Sequence, residues 1–267
     1  MTSAARLIIL GSSAGRASAH RAASSYLLDL GSHGVLIDCG DGATRNFLRA
    51  GFLPEWVEKI VITHTHADHV AGVPYFLQQR YLVGTDRPLT VHCPEDAIGP
   101  LKDVLDFSHL FAERMPFPLY FESLLAGRSL DCDGARVTPY PTTHLEGNSA
   151  WRENHGFLGN NECFAVRIEI NGRVIVYSSD LGALADLDMI PLPIDWLLVE
   201  TSHIALDELW PWVEERRVKR VILTHLSDDF DVAAVASARP GTKAEILLAE
   251  DGMTLDLRDG AVTRWTA

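Results

Sequence analysis

The sequence Thr63-His64-Thr65-His66-Ala67-Asp68-His69 follows the apolar run Ile60-Val61-Ile62 and places three imidazoles and one carboxylate within six residues. Neutral imidazole and carboxylate are ligands that hold zinc and similar divalent ions. Without a bound cation such a cluster is costly, because packed imidazoles repel one another when protonated and unpaired polar groups are expensive to bury. The pattern therefore indicates a metal site at the end of a buried strand; the alternative is a solvated, histidine-rich turn.

Three further predicted strands each lead to a residue of the same two types. The residues that follow these strands are His144, Asp180 and His225. Loops at the ends of strands are where α/β proteins usually build their active sites. Four strand ends that offer only histidine and aspartate therefore strengthen the prediction of a metal site.

Length and composition are typical of a globular protein. The 267 residues are 47% apolar and 22% charged, and no break in composition marks a boundary, so we predict a single domain over residues 1–267. The four cysteines are widely spaced and form no CxxC pair, which predicts free thiols and a cytoplasmic location. No apolar run approaches the roughly 20 residues of a membrane span, so no membrane partner is expected.

The formal net charge of −13 narrows the class of partner. Non-specific nucleic-acid binding depends on Lys and Arg that neutralise phosphates, so an acidic chain argues against it. A small phosphorylated substrate held by metal ions and one or two arginines stays compatible with this charge, because bound cations offset negative charge locally.

The ligand pattern resembles that of the metallo-β-lactamase-fold hydrolases. The resemblance covers about residues 6 to 230, and Asp38 matches an early strand-end aspartate of the family. It implies an α/β fold of the αββα sandwich type, with two face-to-face mixed β-sheets flanked by helices. The alternation of strand pairs and helices that we predict along the chain agrees with this architecture.

The same resemblance implies two adjacent metal ions. His64, His66 and His144 would hold the first ion. The second would be held by Asp68, His69 and His225, and Asp180 would bridge the two. Ligands that are all nitrogen or oxygen suit zinc, with manganese or iron as alternatives. Two such ions can share a bridging hydroxide as nucleophile, and Asp68 is the residue expected to orient the water or accept its proton.

The N-terminal segment is similar to the opening of the tRNase Z-like and phosphodiesterase branch of that family. Its small-residue loop, Leu10-Gly11-Ser12-Ser13-Ala14-Gly15-Arg16, precedes the serine-rich strand that starts near His20. We expect Arg16 or Arg21 to contact a substrate phosphate; the alternative is a tight turn with solvated arginines. Homodimers are common in this branch, which makes a homodimer an expectation by analogy.

The segment Leu197–His203 also resembles that branch, with one departure. In tRNase Z a histidine precedes the glutamate and donates a proton to the leaving group, whereas here Val199 occupies that position. His203 is our candidate for this catalytic role; the alternative is a surface or capping histidine before the next helix. The chain also lacks the long Gly-Pro-rich basic insertion with which tRNase Z holds tRNA, which argues further against tRNA as a partner.

The polar stretch Glu146–Glu162, rich in Gly and Asn, is predicted to be a loop over the site, because it begins two residues after His144. Trp151 and Phe157 are candidates to stack on a base, and Arg152 is a candidate phosphate contact. His155 is a further candidate substrate contact. The alternative is an ordinary surface loop.

These features favour a binuclear metal-dependent hydrolase that acts on a phosphodiester, with a small nucleotide or cyclic phosphodiester as substrate. Two alternatives remain open. One is a lactonase or thioesterase on the same metal centre, and the other is a non-catalytic, metal-bearing carrier of a small molecule.

Overall fold

The computed structural model describes residues 5–156, 161–237 and 242–265. The chain divides into two compact units: unit 1 comprises Met1–Leu125 with Glu250–Ala267, and unit 2 comprises Ala126–Ala249. Each unit contains one β-sheet. The single domain over residues 1–267 stays a prediction.

The strands, in chain order, are β1 Arg6–Gly11, β2 Ser25–Asp29, β3 Gly34–Cys39, β4 Val57–Val61, β5 Leu89–Cys93, β6 Leu119–Ser123, β7 Leu130–Asp131, β8 Ala135–Pro141, β9 Phe164–Ile170, β10 Arg173–Tyr177, β11 Trp196–Glu200, β12 Arg220–Thr224, β13 Glu245–Leu248, β14 Thr254–Asp256 and β15 Val262–Thr263. The α-helices are α1 Ala43–Arg49, α2 Ala67–Val70, α3 Val73–Val83, α4 Ile98–Phe107, α5 Ser149–Asn154, α6 Leu206–Glu215 and α7 Val232–Ser237.

The sheet of unit 1 has the order β15-β14-β1-β2-β3-β4-β5-β6. It is mixed, because β1, β2 and β3 pair antiparallel whereas β3 to β6 pair parallel. Strands β2 and β3 are buried along their whole length. Side chains of α1, α3 and α4 pack with one face of this sheet in a single apolar core.

The sheet of unit 2 has the order β13-β12-β11-β10-β9-β8-β7 and is also mixed. Strands β10 to β13 pair parallel, and β7 to β10 pair antiparallel. Helix α6 covers this sheet with Leu209, Trp210 and Val213, which recur at helical spacing and are fully buried. The predicted α/β class, two mixed sheets flanked by helices, is therefore confirmed.

Two local predictions differ from the structure. The run from Val70 to Leu82, with Pro74 near its start, predicts one helix, whereas the structure has two, α2 and α3, separated at Ala71 and Gly72. A Cβ atom at Gly72 would lie 2.3 Å from the carbonyl oxygen of Gly40, so only glycine allows this close approach of the ligand-bearing turn to the end of β3. The close contact at this break between the two helices fixes the position of α2 on unit 1. Asp68 and His69 lie on α2 and are positioned with it.

The prediction that Glu146–Glu162 is a loop was wrong in its first half. Glu146–Asn148 form a 3-10 turn that continues into α5. The helix contains Ala, Arg and Glu, which favour helix, and the Gly and Asn content of the stretch as a whole concealed it. Phe157 lies outside the described residues. Among the residues that the structure describes, no helix is long and apolar enough to cross a membrane.

Arg80 of α3 is a buried cation that connects separate segments of unit 1 by hydrogen bonds. Its side chain has no exposed surface and donates to the carbonyl oxygens of Pro54, Val57, Arg87 and Pro88 at 2.6–3.2 Å. Burial lowers the pKa of this guanidinium to about 10, so it stays charged at neutral pH. Its Cζ also lies 4.8 Å from the centre of the Phe117 ring.

Arg80→Met is expected to lower the free energy of unfolding by about 3–5 kcal/mol, because four carbonyl oxygens, two of them in buried hydrogen bonds, lose charged donors. Arg80→Lys should lose less, since an ammonium group replaces some of these bonds. Chemical denaturation measures both changes. Arg128→Met, at an exposed position, is the control. A loss at position 80 no larger than at position 128 would contradict the structural role.

Candidate metal centre and active site

The ligand turn of unit 1 follows β4 and consists of an extended segment that runs into α2. His66 is the last extended residue before this helix, with ψ at 145°, and its carbonyl oxygen accepts the amide N–H of His69 at 2.9 Å. The side chains of His64 and His69 are fully buried, whereas His66 is exposed. The ring centres of His64 and His69 are 4.1 Å apart, so the turn gathers its imidazoles into one cluster.

Asp38, at the end of β3, holds this turn in place. Its Oδ1 accepts the amide N–H of Thr63 at 2.8 Å, and its Oδ2 lies 2.7 Å from Nδ1 of His69. The opposite nitrogen of His69, Nε2, lies 3.3 Å from Oδ2 of Asp68. A carboxylate on one imidazole nitrogen fixes the ring tautomer and orientation so that the other nitrogen can bind a metal. Asp38 is therefore placed as an outer partner of the candidate ligand His69.

Asp38→Asn is expected to weaken metal binding by about 10–100-fold, the usual cost of losing an outer carboxylate partner of a ligating histidine. Competition with a calibrated chelator measures this affinity. Asp41→Asn, a nearby exposed carboxylate, is the matched control. Unchanged affinity in the Asp38 variant would show that the carboxylate does not support the ligand.

In unit 2, Asp180 lies between two histidines. Its Oδ2 is 3.5 Å from Nε2 of His144, and its Oδ1 is 3.6 Å from Nε2 of His225. All three side chains are almost fully buried. Each carboxylate oxygen thus faces a different imidazole, which is the arrangement expected of a carboxylate that bridges two cations.

The backbone at three of these strand ends is strained. Asp38, Ser179 and His225 have φ values of 53°, 51° and 56°, in the left-handed region that residues other than glycine rarely adopt. Such residues persist where the surroundings enforce them, and they cluster at functional sites. The Oγ of Ser202 lies 3.0 Å from Nδ1 of His225 and provides a partner for the far side of that ring.

His203 lies beside the candidate ligand His144, with ring centres 4.7 Å apart. Glu200 at the end of β11 is fully buried and binds His203 twice: Oε2 accepts the amide N–H at 2.9 Å, and Oε1 lies 3.1 Å from Nδ1. Val199 is fully buried in the core of unit 2. The structure therefore places the histidine three residues after the glutamate next to a candidate ligand, while the position that precedes the glutamate serves packing.

The other predicted substrate residues have different surroundings. Arg16 is exposed on the N-terminal loop, where a Cβ atom at Gly15 would lie 3.5 Å from Oδ2 of Asp68. The N-terminal loop therefore runs directly past a candidate metal ligand at Gly15. Arg21, in contrast, donates to Oγ of Ser12 at 2.8 Å.

Helix α5 contains two of the remaining predicted substrate residues, Trp151 and Arg152, and His155 directly follows it. Trp151 is 58% exposed and stacks on His155, with ring centres 4.1 Å apart, and Arg152 donates to Oδ1 of Asn161 at 2.9 Å. Substrate contact by Trp151, Arg152 and His155 stays a prediction, as it does for Arg16 and Arg21.

Asp186 was not predicted from the sequence. It joins two loops of unit 2 that carry candidate metal ligands. Its carboxylate accepts the amide N–H groups of Thr143 and Gly182 at 3.0 and 2.9 Å. These residues stand directly before His144 and shortly after Asp180. An aspartate six residues after a ligand gives no specific signal in the sequence, because acceptors of this kind occur in most loops.

The donors fit a divalent metal ion. Each unit contributes only imidazole nitrogens and carboxylate oxygens, and the ligand atoms of His64 and His66 lie within 4.8 Å of each other, as do those of Asp68 and His69. Such donors are typical of zinc and of other divalent transition metals. The histidines and aspartates of each unit are therefore candidate ligands for a divalent cation.

Comparison with known proteins identifies the fold and the family. The profile of a family described as Anti-Pycsar protein Apyc1 matches residues 5–241. Ribonuclease BN of Erwinia tasmaniensis is 38% identical over 144 residues, which are 52% of this chain and 45% of that protein. The chain thus aligns with about half the length of the curated relatives it matches.

Two solved structures share the architecture. The metallo-β-lactamase fold protein YhfI from Bacillus subtilis superposes with a TM-score of 0.74 at 21% identity, covering 94% of this chain and 98% of that one. The short form of human tRNase Z superposes with a TM-score of 0.72 at 20% identity, with the same coverage. These similarities confirm the metallo-β-lactamase fold that the ligand pattern implied.

Proposed function

The chain belongs to the Anti-Pycsar protein Apyc1 family. We propose that it is a metal-dependent phosphodiesterase that acts on a small nucleotide or cyclic phosphodiester. The observation that carries the proposal is the position of Asp180, whose two oxygens face the imidazoles of His144 and His225. A carboxylate between two sets of ligands suits a centre that holds two cations and hydrolyses an ester.

The ligands divide between two ions in the proposal. His64, His66 and His144 would hold one ion, Asp68, His69 and His225 would hold the other, and Asp180 would be shared. Zinc is the cation that the all-nitrogen and oxygen donor set suits best. When bound, such ions lower the pKa of a water toward about 7 and polarise the phosphoryl oxygen.

Residues of the chain itself supply the proton transfers. Asp68 accepts the proton of the attacking water, since its carboxylate is partly exposed and lies against His69. His203 donates a proton to the departing oxygen, and Glu200 keeps its ring oriented through Nδ1. A buried carboxylate beside the ring also stabilises the protonated imidazole that a general acid requires.

One observation favours a small substrate over tRNA. The net charge of −13 opposes binding of a long phosphate backbone. Arg16 on the loop beside Asp68 is the proposed phosphate contact, and the exposed indole of Trp151 is the proposed stacking surface for a base.

A substrate panel tests this function. Zinc-loaded protein should hydrolyse an aryl phosphodiester and at least one cyclic nucleotide, and a chelator should abolish both reactions. Acyl lactones and thioesters should react much more slowly. Cleavage of lactones or thioesters by a preparation that is inert on phosphodiesters would replace the proposal with the carboxyl-ester alternative. Tight capture of a ligand without turnover would favour a carrier.

A further inference from the structure

Unit 1 contains a cavity whose lining includes none of the candidate metal ligands. Its volume is about 560 Å³, within the range of about 300–1,000 Å³ that is usual for small-molecule sites. The side chains that line it and could bind a ligand are His20, Arg21, Arg45, Arg49, Asp251 and Trp265.

Positive charge is concentrated at this cavity, although the chain as a whole carries −13. Arg45 and Arg49 stand four residues apart on α1 and therefore project from the same side of the helix, where two like charges destabilise each other. Arg21 brings a third guanidinium to the same lining. In the described part of the chain, no carboxylate pairs with Arg45 or Arg49. A bound anion would remove the repulsion.

The single carboxylate in the lining, Asp251, is already occupied. Its oxygens accept bonds from the amide N–H and hydroxyl of Ser12, from the amide N–H of Ala22, and from Nδ2 of Asn46, all at 2.7–3.1 Å. Asp251 also lies close enough to Arg21 for the two charges to attract each other. Three guanidinium groups against one carboxylate leave the lining of the cavity with a net positive charge.

Trp265 gives the cavity a fixed aromatic side. The indole packs directly on Gly252, where a Cβ atom would lie 2.3 Å from the ring, and Cζ of Arg49 lies 5.2 Å from the ring centre. Gly252 has a φ of 86°, which favours glycine for a second reason. The ring thus holds Arg49 at the cavity by a cation–π contact and is itself held by the backbone.

We propose that this cavity is a second binding site, which takes a phosphomonoester dianion between Arg21, Arg45 and Arg49. Guanidinium groups bind phosphate through paired, charge-assisted hydrogen bonds, which makes this class of anion the best match to three arginines. The dianion is carried either by inorganic phosphate or by a nucleoside monophosphate, and the cavity has room for both. Binding there requires neither the metal ions nor turnover.

The Trp265 indole N–H provides a local readout in the intact, metal-loaded protein. Trp265→Phe identifies its resonance among those of the six tryptophans in a ¹H–¹⁵N spectrum. Inorganic phosphate and a nucleoside 5′-monophosphate should each shift this resonance with saturation, and the corresponding uncharged nucleoside should not. A lower midpoint for the monophosphate identifies a nucleotide as the ligand, and equal midpoints identify the phosphate group alone.

Arg45→Ala/Arg49→Ala should raise the phosphate midpoint about tenfold or more, because two charged donors are lost. Both positions are exposed on a helix, where alanine is tolerated. Arg114→Ala, an exposed arginine of unit 1 outside the cavity, is the control and should keep the wild-type midpoint. An absent shift in wild type, an equal shift with the nucleoside, or an unchanged midpoint in the double variant would overturn the site. None of these readouts depends on phosphodiesterase activity, so the two proposals can fail separately.

Discussion

Asp180→Ala is expected to abolish measurable phosphodiester hydrolysis and to reduce bound metal, with the fold retained. The carboxylate faces two histidines, so its loss removes a ligand from both proposed ions at once. Loss of an outer partner of a metal ligand typically costs about 10–100-fold in affinity or activity, and removal of a shared ligand should cost considerably more. His66→Ala should lose metal and activity in the same way, but through one ion.

Metal analysis after gel filtration, together with initial rates on an aryl phosphodiester, measures both effects. Asp207→Ala is the matched control, because Asp207 is an exposed aspartate of the same unit. Far-ultraviolet circular dichroism checks that the fold survives in each variant. An Asp180 variant that keeps full metal content and full rate would show that the ligand assignment is wrong.

His203→Ala should lower kcat by about 10²–10⁴-fold on a substrate with an alkoxide leaving group, the range that general acid catalysis contributes. A cyclic nucleotide is such a substrate, because its departing sugar oxygen needs a proton. A nitrophenyl phosphodiester is different, since nitrophenolate leaves without protonation. The expected result is therefore a large loss on the first substrate and a small loss on the second, at unchanged metal content.

Glu200→Gln separates a proton donor from a merely structural histidine. If Glu200 orients His203 and stabilises its protonated ring, the Glu200→Gln variant should lose kcat with the same dependence on the leaving group. The loss should be smaller than in the His203 variant. His109→Ala, an exposed histidine of unit 1, should leave both rates unchanged. An equal fall on both substrates in the His203 variant would assign this histidine a structural or binding role.

Much of the scaffold could be predicted from the sequence, because its strands are short apolar runs that end at chemically distinctive residues. The turn from Thr63 to His69 is the clearest case: buried β4 leads directly into it, and the structure places His64 and His69 side by side. The pairing of Asp180 with His144 and His225 was implied by the family resemblance and not by local pattern, because loops from β8, β10 and β12 contribute one residue each.

Other features had no local signal. Asp186 links two ligand loops through backbone N–H groups, and such links follow from the path of the chain rather than from residue type. Helix α5 was concealed by the Gly and Asn around it. The sequence did point to His203 beside Glu200, but only the structure shows that the buried carboxylate holds the imidazole next to His144. The residue pattern thus predicts which strand ends carry histidine and aspartate better than it predicts the contacts that support them.

We propose that this chain hydrolyses phosphodiesters with two metal ions. Zinc is titrated into protein from which a chelator has removed the metal. Metal content and the rate of cyclic phosphodiester hydrolysis are measured on the same samples. The metal content should saturate at two ions per chain, and the activity should appear mainly as the second ion binds. Full activity at one ion per chain, or hydrolysis that persists without metal, would contradict it.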